Sequence, residues 1–142
     1  MKQFRGLSLW VFVCVLAGIY LVGCAGMSAT SEEDKANCLA KTKIYQSISE
    51  DATLTELSCA YKKFEGAEVV HLKVGLQNVS KEPKRFKVHL FLDDCKAVGG
   101  LIPRKTNKGL VKPGETAAFV YPVNGMTSNP KEITLNVMTI MP

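Results

Sequence analysis

An antiparallel β-sandwich is the fold class that this 142-residue sequence predicts. Three observations carry it. From about Thr55 the apolar residues recur with a period of two, which gives strands with one face on a core and one on water. Clusters of Gly, Pro, Asn and Asp separate these stretches at short intervals. No long run of helical period lies between them, which disfavours a parallel sheet joined by crossover helices.

The chain begins differently. Met1-Lys2-Gln3-Phe4-Arg5 carries two positive charges and no acid, and Gly6 to Tyr20 is an apolar run. A membrane-spanning helix needs about 20 apolar residues. Here the run ends in small residues and the chain turns polar at "MSATSEEDK" (Met27 to Lys35). Residues 1–23 therefore read as a secretory signal peptide, with an uncleaved anchor helix as the alternative.

Leu21-Val22-Gly23-Cys24 resembles the lipobox of bacterial lipoproteins. The resemblance implies cleavage between Gly23 and Cys24, with Cys24 as the lipidated first residue, acylated on its sulfur and its amine. Each buried CH₂ contributes about 0.8 kcal/mol, and more than one chain makes attachment durable. Ala25, not Asp, follows Cys24. By resemblance to sorting in double-membrane bacteria, this implies the periplasmic face of the outer membrane in the bacterial cell envelope, with the cell surface as the alternative. No cofactor is expected beyond the covalent lipid on Cys24.

Residues 24–54 read as a lipidated tether, rich in Ser, Thr, Ala and Glu up to about Asp34. Ser31 ahead of Glu32, Glu33 and Asp34 is a helix-start signal, so "KANCLAKTKIYQSI" (Lys35 to Ile48) reads as a short helix. The alternation over Lys43 to Ile48 supports a strand there instead.

Residues 55–142 carry the sandwich. Leu57, Cys59 and Tyr61 share a face, as do Val70, Leu72, Val74 and Leu76 in the next stretch. Phe86, Val88, Leu90 and Leu92 lie opposite Arg85, Lys87 and His89. Ala117, Phe119, Tyr121 and Val123 form a fourth set, and Ile133, Leu135 and Val137 a fifth. Turns are expected at "NVSKEP" (Asn78 to Pro83), "DDCK" (Asp93 to Lys96), "NKG" (Asn107 to Gly109), "KPGE" (Lys112 to Glu115) and "NGMTSNP" (Asn124 to Pro130). Gly99-Gly100 reads as a bulge or bend in an edge strand.

The progression "HLKVGLQNVS", "KRFKVHLFLDD", "AVGGLIP", "VKPGETAAFVYPV" resembles immunoglobulin-like envelope domains of the FxLYD type over roughly Thr55 to Pro142. Leu92 and Asp94 match the name-giving motif, while Leu90 and Asp93 replace its aromatic positions. The resemblance implies an immunoglobulin-like sandwich serving as a binding or structural module, and it transfers no functional residue.

Processing changes the cysteine count. Cys14 leaves with the signal and Cys24 goes to lipid, so Cys38, Cys59 and Cys95 remain for an oxidising compartment. Cys38 with Cys59 is the favoured bridge and Cys59 with Cys95 the competitor. A loop of the first size stabilises by roughly 3 kcal/mol on the chain-entropy model. The formal charge falls from +5 to +3 with the loss of Lys2 and Arg5, too mild to argue for nucleic acid. Lys81, Lys84, Arg85 and Lys87 make a local basic cluster, read as a solvated hairpin or as a contact for an acidic partner or lipid headgroups.

No set of residues converges on catalysis, and no enzyme activity is expected. Asp93 and Asp94 are adjacent and read as backbone caps in a turn. His71, His89 and Cys95 are competent metal ligands by type, yet the two histidines sit on strands that can belong to different sheets. Met126, Met138 and Met141 are too dispersed for a copper stripe and read as core filling or exposure near the C-terminus. Two function classes follow: a non-catalytic binding or scaffold lipoprotein holding an envelope protein partner or a second copy, and a periplasmic metal- or small-ligand-binding lipoprotein using His71, His89 and Cys95.

Overall fold

A computed structural model describes residues 37–104 and 109–140. The signal segment, the lipobox with Cys24, the polar tether, most of the "NKG" turn and Met141 lie outside the described residues. Seven strands form: β1 (Lys43–Ile48), β2 (Ala52–Phe64), β3 (Ala67–Asn78), β4 (Arg85–Leu92), β5 (Ala97–Ile102), β6 (Thr116–Pro122) and β7 (Glu132–Ile140). They make a four-stranded sheet in the order β1-β7-β4-β5 and a three-stranded sheet in the order β2-β3-β6. The two sheets enclose one core, so the molecule is a β-sandwich.

The period-two residues fill that core. Val70, Leu72, Val74 and Leu76 of β3 meet Phe86, Val88 and Leu90 of β4 and Ile133 and Leu135 of β7, all of them fully buried. Met126 joins this core from the loop before β7, whereas Met138 is exposed. Burial of a side chain of this size contributes about 1.5–3 kcal/mol, so the alternation alone fixes which face of each strand turns inward.

Turns close the strands where their residues allow positive φ. Glu65 and Gly66, at φ 50° and 87°, join β2 to β3 as a two-residue hairpin loop, and the pairing runs on into Phe64 opposite Ala67. Positive φ at both loop positions matches the right-handed twist of the flanking strands. The Lys112–Glu115 turn is closed by the Glu115 N–H donating to the Lys112 carbonyl at 3.0 Å, with Gly114 at φ 77°.

Asn78, the one buried polar side chain among the described residues, ties the end of β3 to its neighbours. Its amide donates to the carbonyls of Glu82 (2.7 Å) and Val111 (2.8 Å), and its Oδ1 accepts from the Ser80 amide at 2.9 Å and the Ser80 hydroxyl at 2.7 Å. Such bonds offset the cost of burying an amide, and they make "NVS" a structural turn.

Three expectations are corrected. The short helix over Lys35 to Ile48 does not form in its described part: Asn37–Lys41 is a turn and Lys43–Ile48 is β1. Tertiary pairing overrides the helix-start signal, because Lys43 N–H donates to the Lys131 carbonyl at 2.9 Å and β1 then lies in register with β7. The strand thus takes up residues ahead of Thr55, and β2 begins at Ala52. The sandwich is also not wholly antiparallel, since β1 runs parallel to β7. Both strands start at the same end of the sheet, β1 leaving through Ser49–Asp51 into the opposite layer. Finally, Gly99-Gly100 makes no bulge: β4 and β5 pair without a break from Phe86 opposite Ile102 to Phe91 opposite Ala97. The register break lies in β2, between Leu54 and Glu56.

Candidate functional site

The outer face of the four-stranded sheet is where the sequence departs from its own alternation. In β4, Phe86, Val88, Leu90 and Leu92 point inward, which turns Arg85, Lys87, His89 and Phe91 outward. Across the ladder, Ala97, Gly99 and Leu101 of β5 lie opposite Phe91, His89 and Lys87. On the other side Thr134, Asn136 and Met138 of β7 lie opposite the same three residues. Tyr45 of β1 continues the row beside Thr134. Tyr45, Phe91 and Met138 are 53%, 46% and 45% exposed. Phe91 and Met138 occupy positions where the period calls for a polar residue, a signal legible in "RFKVHLFL" and "EITLNVMTI" but absorbed there into the strand assignment.

Between β4 and β5 this face sinks into a concavity of about 440 Å³, lined by Lys87, His89, Phe91, Ala97, Gly99 and Gly100. Its floor is low because Gly99, on this face, has no side chain. A Cβ on Gly99 would lie 2.3 Å from the Val88 carbonyl oxygen, so only glycine lets β5 approach β4 this closely. A Cβ on Gly100 would point the other way, 3.4 Å from the Tyr121 ring. His89 packs edge-on against Phe91, with centroids 6.0 Å apart and planes at 77°. Lys87 has no carboxylate partner among the described residues.

The three-stranded sheet carries its polar residues differently. Lys73 pairs with Glu56 at 2.7 Å, and the Ser58 hydroxyl donates to the same carboxylate at 2.8 Å. These bonds hold the Glu56 carboxyl below the usual carboxylate range, the Lys73 bond first and the Ser58 bond second. At the β5–β6 border Tyr121 is buried and its hydroxyl has no hydrogen-bond partner among the described residues. Burial pushes its phenol up to about 12, with the positive charge of Arg104 pulling the other way. The Arg104 guanidinium sits 4.4 Å from the centroid of the Phe119 ring, a cation–π contact.

The predicted site residues are distributed as follows. Cys38 and Cys59 are joined in a disulfide with a Cα–Cα distance of 6.0 Å, linking the turn before β1 to the opposite sheet. Cys95 is free and exposed in the Asp93–Lys96 turn. His71 lies on the outer face of the three-stranded sheet, its Nδ1 3.1 Å from the Val69 carbonyl, and His89 lies on the outer face of the other sheet. Both layers of the sandwich separate the two imidazoles, so His71, His89 and Cys95 are not brought together. Among the described residues no three His, Cys, Asp or Glu side chains are grouped to hold a metal. Asp93 acts as a cap, its Oδ1 accepting from the amides of Lys131 (3.0 Å) and Glu132 (3.4 Å) at the start of β7.

No family model matches this chain, and neither a curated protein nor a solved structure matches it. The site is therefore read from its own geometry.

Proposed function

We propose that this protein is a lipid-anchored lipoprotein of the bacterial envelope, held at the periplasmic face of the outer membrane, whose immunoglobulin-like sandwich is a non-catalytic module that binds an envelope protein. The observation that carries it is the sequence Leu21-Val22-Gly23-Cys24 at the end of an apolar run too short to span a bilayer. The exposed Tyr45, Phe91 and Met138 on one sheet face, beside a Lys87 with no carboxylate partner among the described residues, support the binding role, since aromatic and Met side chains are enriched in interfaces.

Expression of the full chain in a double-membrane bacterium fed an alkyne-tagged fatty acid tests the anchor. Wild type should be labelled and shortened by residues 1–23, and Cys24→Ala should be neither. An unlabelled wild type would end the anchor reading. Pull-down from mildly solubilised membranes tests the binding role, and recovery of the protein alone would count against it. The alternative of a metal-binding lipoprotein is favoured by no contact among the described residues. Stoichiometric metal lost on His89→Ala would restore it.

A further inference from the structure

We infer that the partner of this module is an acidic, extended protein segment that adds to the free edge of β5 and lays a bulky apolar side chain over Gly99. This deepens the binding role proposed above and rests on it. Four strands lie at sheet edges: β1, β5, β2 and β6. Exposed edges are ordinarily blunted by charge, proline or a bulge. β2 has the bulge at Thr55 together with Lys62 and Lys63, β6 ends in Pro122, and β1 opens on Lys43. β5, "AVGGLI", has none of these, and its ladder to β4 is unbroken. Among the described residues its other edge pairs with nothing.

The chemistry beside that edge sets the occupant. A strand added to β5 would place every second side chain level with Ala97, Gly99 and Leu101 on the outer face. Opposite Gly99 that side chain meets no Cβ and reaches across the 440 Å³ concavity to His89 and Phe91. A bulky neighbour covering a strand glycine in this way stabilises the pairing. Lys87 lines the floor, and β4 and β5 carry no carboxylate at all, so acidic neighbours of that side chain complement the face. A second copy fits worse. Its β5 would offer Ala97 and Gly99, too small to fill the floor, and would bring a second Lys87 toward the first.

The test uses the full chain in detergent micelles and an acetylated, amidated heptapeptide, Thr-Glu-Val-Phe-Val-Glu-Thr, read by amide hydrogen exchange. The peptide should slow exchange across Ala97–Ile102 and leave β2 and β6 unchanged. Replacing its Phe by Ala, or both Glu by Lys, should abolish the protection. Lys87→Glu, at a solvent-facing position, should weaken binding of the acidic peptide about tenfold and admit the Lys peptide. Protection on β1, β2 or β6 instead, equal binding of both charge forms, or no protection at any concentration would overturn the proposal. So would protection of β5 that grows with protein concentration without peptide, which would assign the edge to a second copy. If Cys24 is unlabelled yet the peptide binds β5, the anchor fails and the edge site stands. If Cys24 is labelled and the peptide leaves β5 exchanging freely, the edge site fails and the anchor stands.

Discussion

The two outer faces of the sandwich are built from the same alternation and end up with opposite character. On the three-stranded sheet Glu56, Ser58 and Lys73 satisfy one another, and Gln77 donates to the Gly114 carbonyl at 3.0 Å. On the four-stranded sheet Lys87 stands without a counter-ion among the described residues, beside exposed Phe91 and Met138 over a glycine floor. One face has spent its polar groups internally, and the other presents them. A face of the second kind suits association, because its exposed aromatic area leaves water, and its charge gains a partner, only when something is brought to it.

The largest expected effect concerns the link between the layers. The disulfide joins Cys38, just before the four-stranded sheet, to Cys59 of the three-stranded one. Cys38→Ser combined with Cys59→Ser should destabilise the protein by about 3 kcal/mol, with the urea midpoint as readout. Dithiothreitol should lower the wild-type midpoint equally and leave the double variant untouched. A smaller loss would show that the sheets are held almost entirely by their shared core.

Next come two glycines, one on each sheet, that separate the faces by cause. Gly99→Ala sets a methyl against the Val88 carbonyl, main chain that no side-chain deletion can remove, and should cost about 2 kcal/mol. In Gly75→Ala the closest atom, at 2.8 Å, is the Thr55 hydroxyl oxygen. That cost should be below about 1 kcal/mol, because the side chain can turn away and Ala restricts the unfolded chain. Thr55→Ala should reduce it, leaving only the Glu56 Cβ at 3.1 Å to give way. No second-site Ala on β4 should rescue Gly99→Ala, and a rescue there would show that the β4–β5 approach is looser than its glycine requires.

How far these features could be read beforehand depended on whether they were local. The inward sets from Leu57 to Val137 were legible because burial acts on every second residue. Asp93 was legible as a cap by residue type, but the amides it caps, those of Lys131 and Glu132, come from the distant start of β7 and carry no local signal. The β1 strand was ambiguous because what decides it is pairing with β7, some ninety residues later in the chain, and the parallel direction of that pairing has no local signal. Gly99-Gly100 was visible as an oddity but its meaning was not. Distinguishing a bulge from a close approach requires knowing that Val88 lies beneath. Asn78 was read as a turn residue, and its burial depends on Val111, which reaches it only in the folded chain.

A third test probes the border between the faces. Because Tyr121 titrates at about 12 in the fold and near 10 when unfolded, the unfolded chain releases its proton first. Stability should therefore be complete below pH 10 and fall by on the order of 2 kcal/mol as pH rises to about 12. Tyr121→Phe should flatten this part of the profile. At pH 7 the same variant should be neutral or stabilising by up to about 1 kcal/mol, because it deletes a buried hydroxyl that has no partner among the described residues. A clear loss at pH 7 would mean that the hydroxyl is bonded.

The smallest effect bears most directly on the contrast. Lys73→Ala removes the counter-ion of Glu56, and Lys87→Glu reverses a charge on the opposite face. Exposed pairs contribute little because solvent screens them. The Glu56–Lys73 pair should matter only at the carboxylate: with its folded pKa lowered, its contribution is present above the ordinary carboxylate range and fades as pH falls through the lowered value. Lys73→Ala should leave the thermal midpoint within measurement scatter at low pH and shift it slightly downward at neutral pH. Lys87→Glu should shift nothing at either pH, because no carboxylate among the described residues pairs with Lys87. If Lys87→Glu instead lowered the neutral-pH midpoint more than Lys73→Ala, Lys87 would have a partner within the fold, and the four-stranded face would be as self-contained as the other.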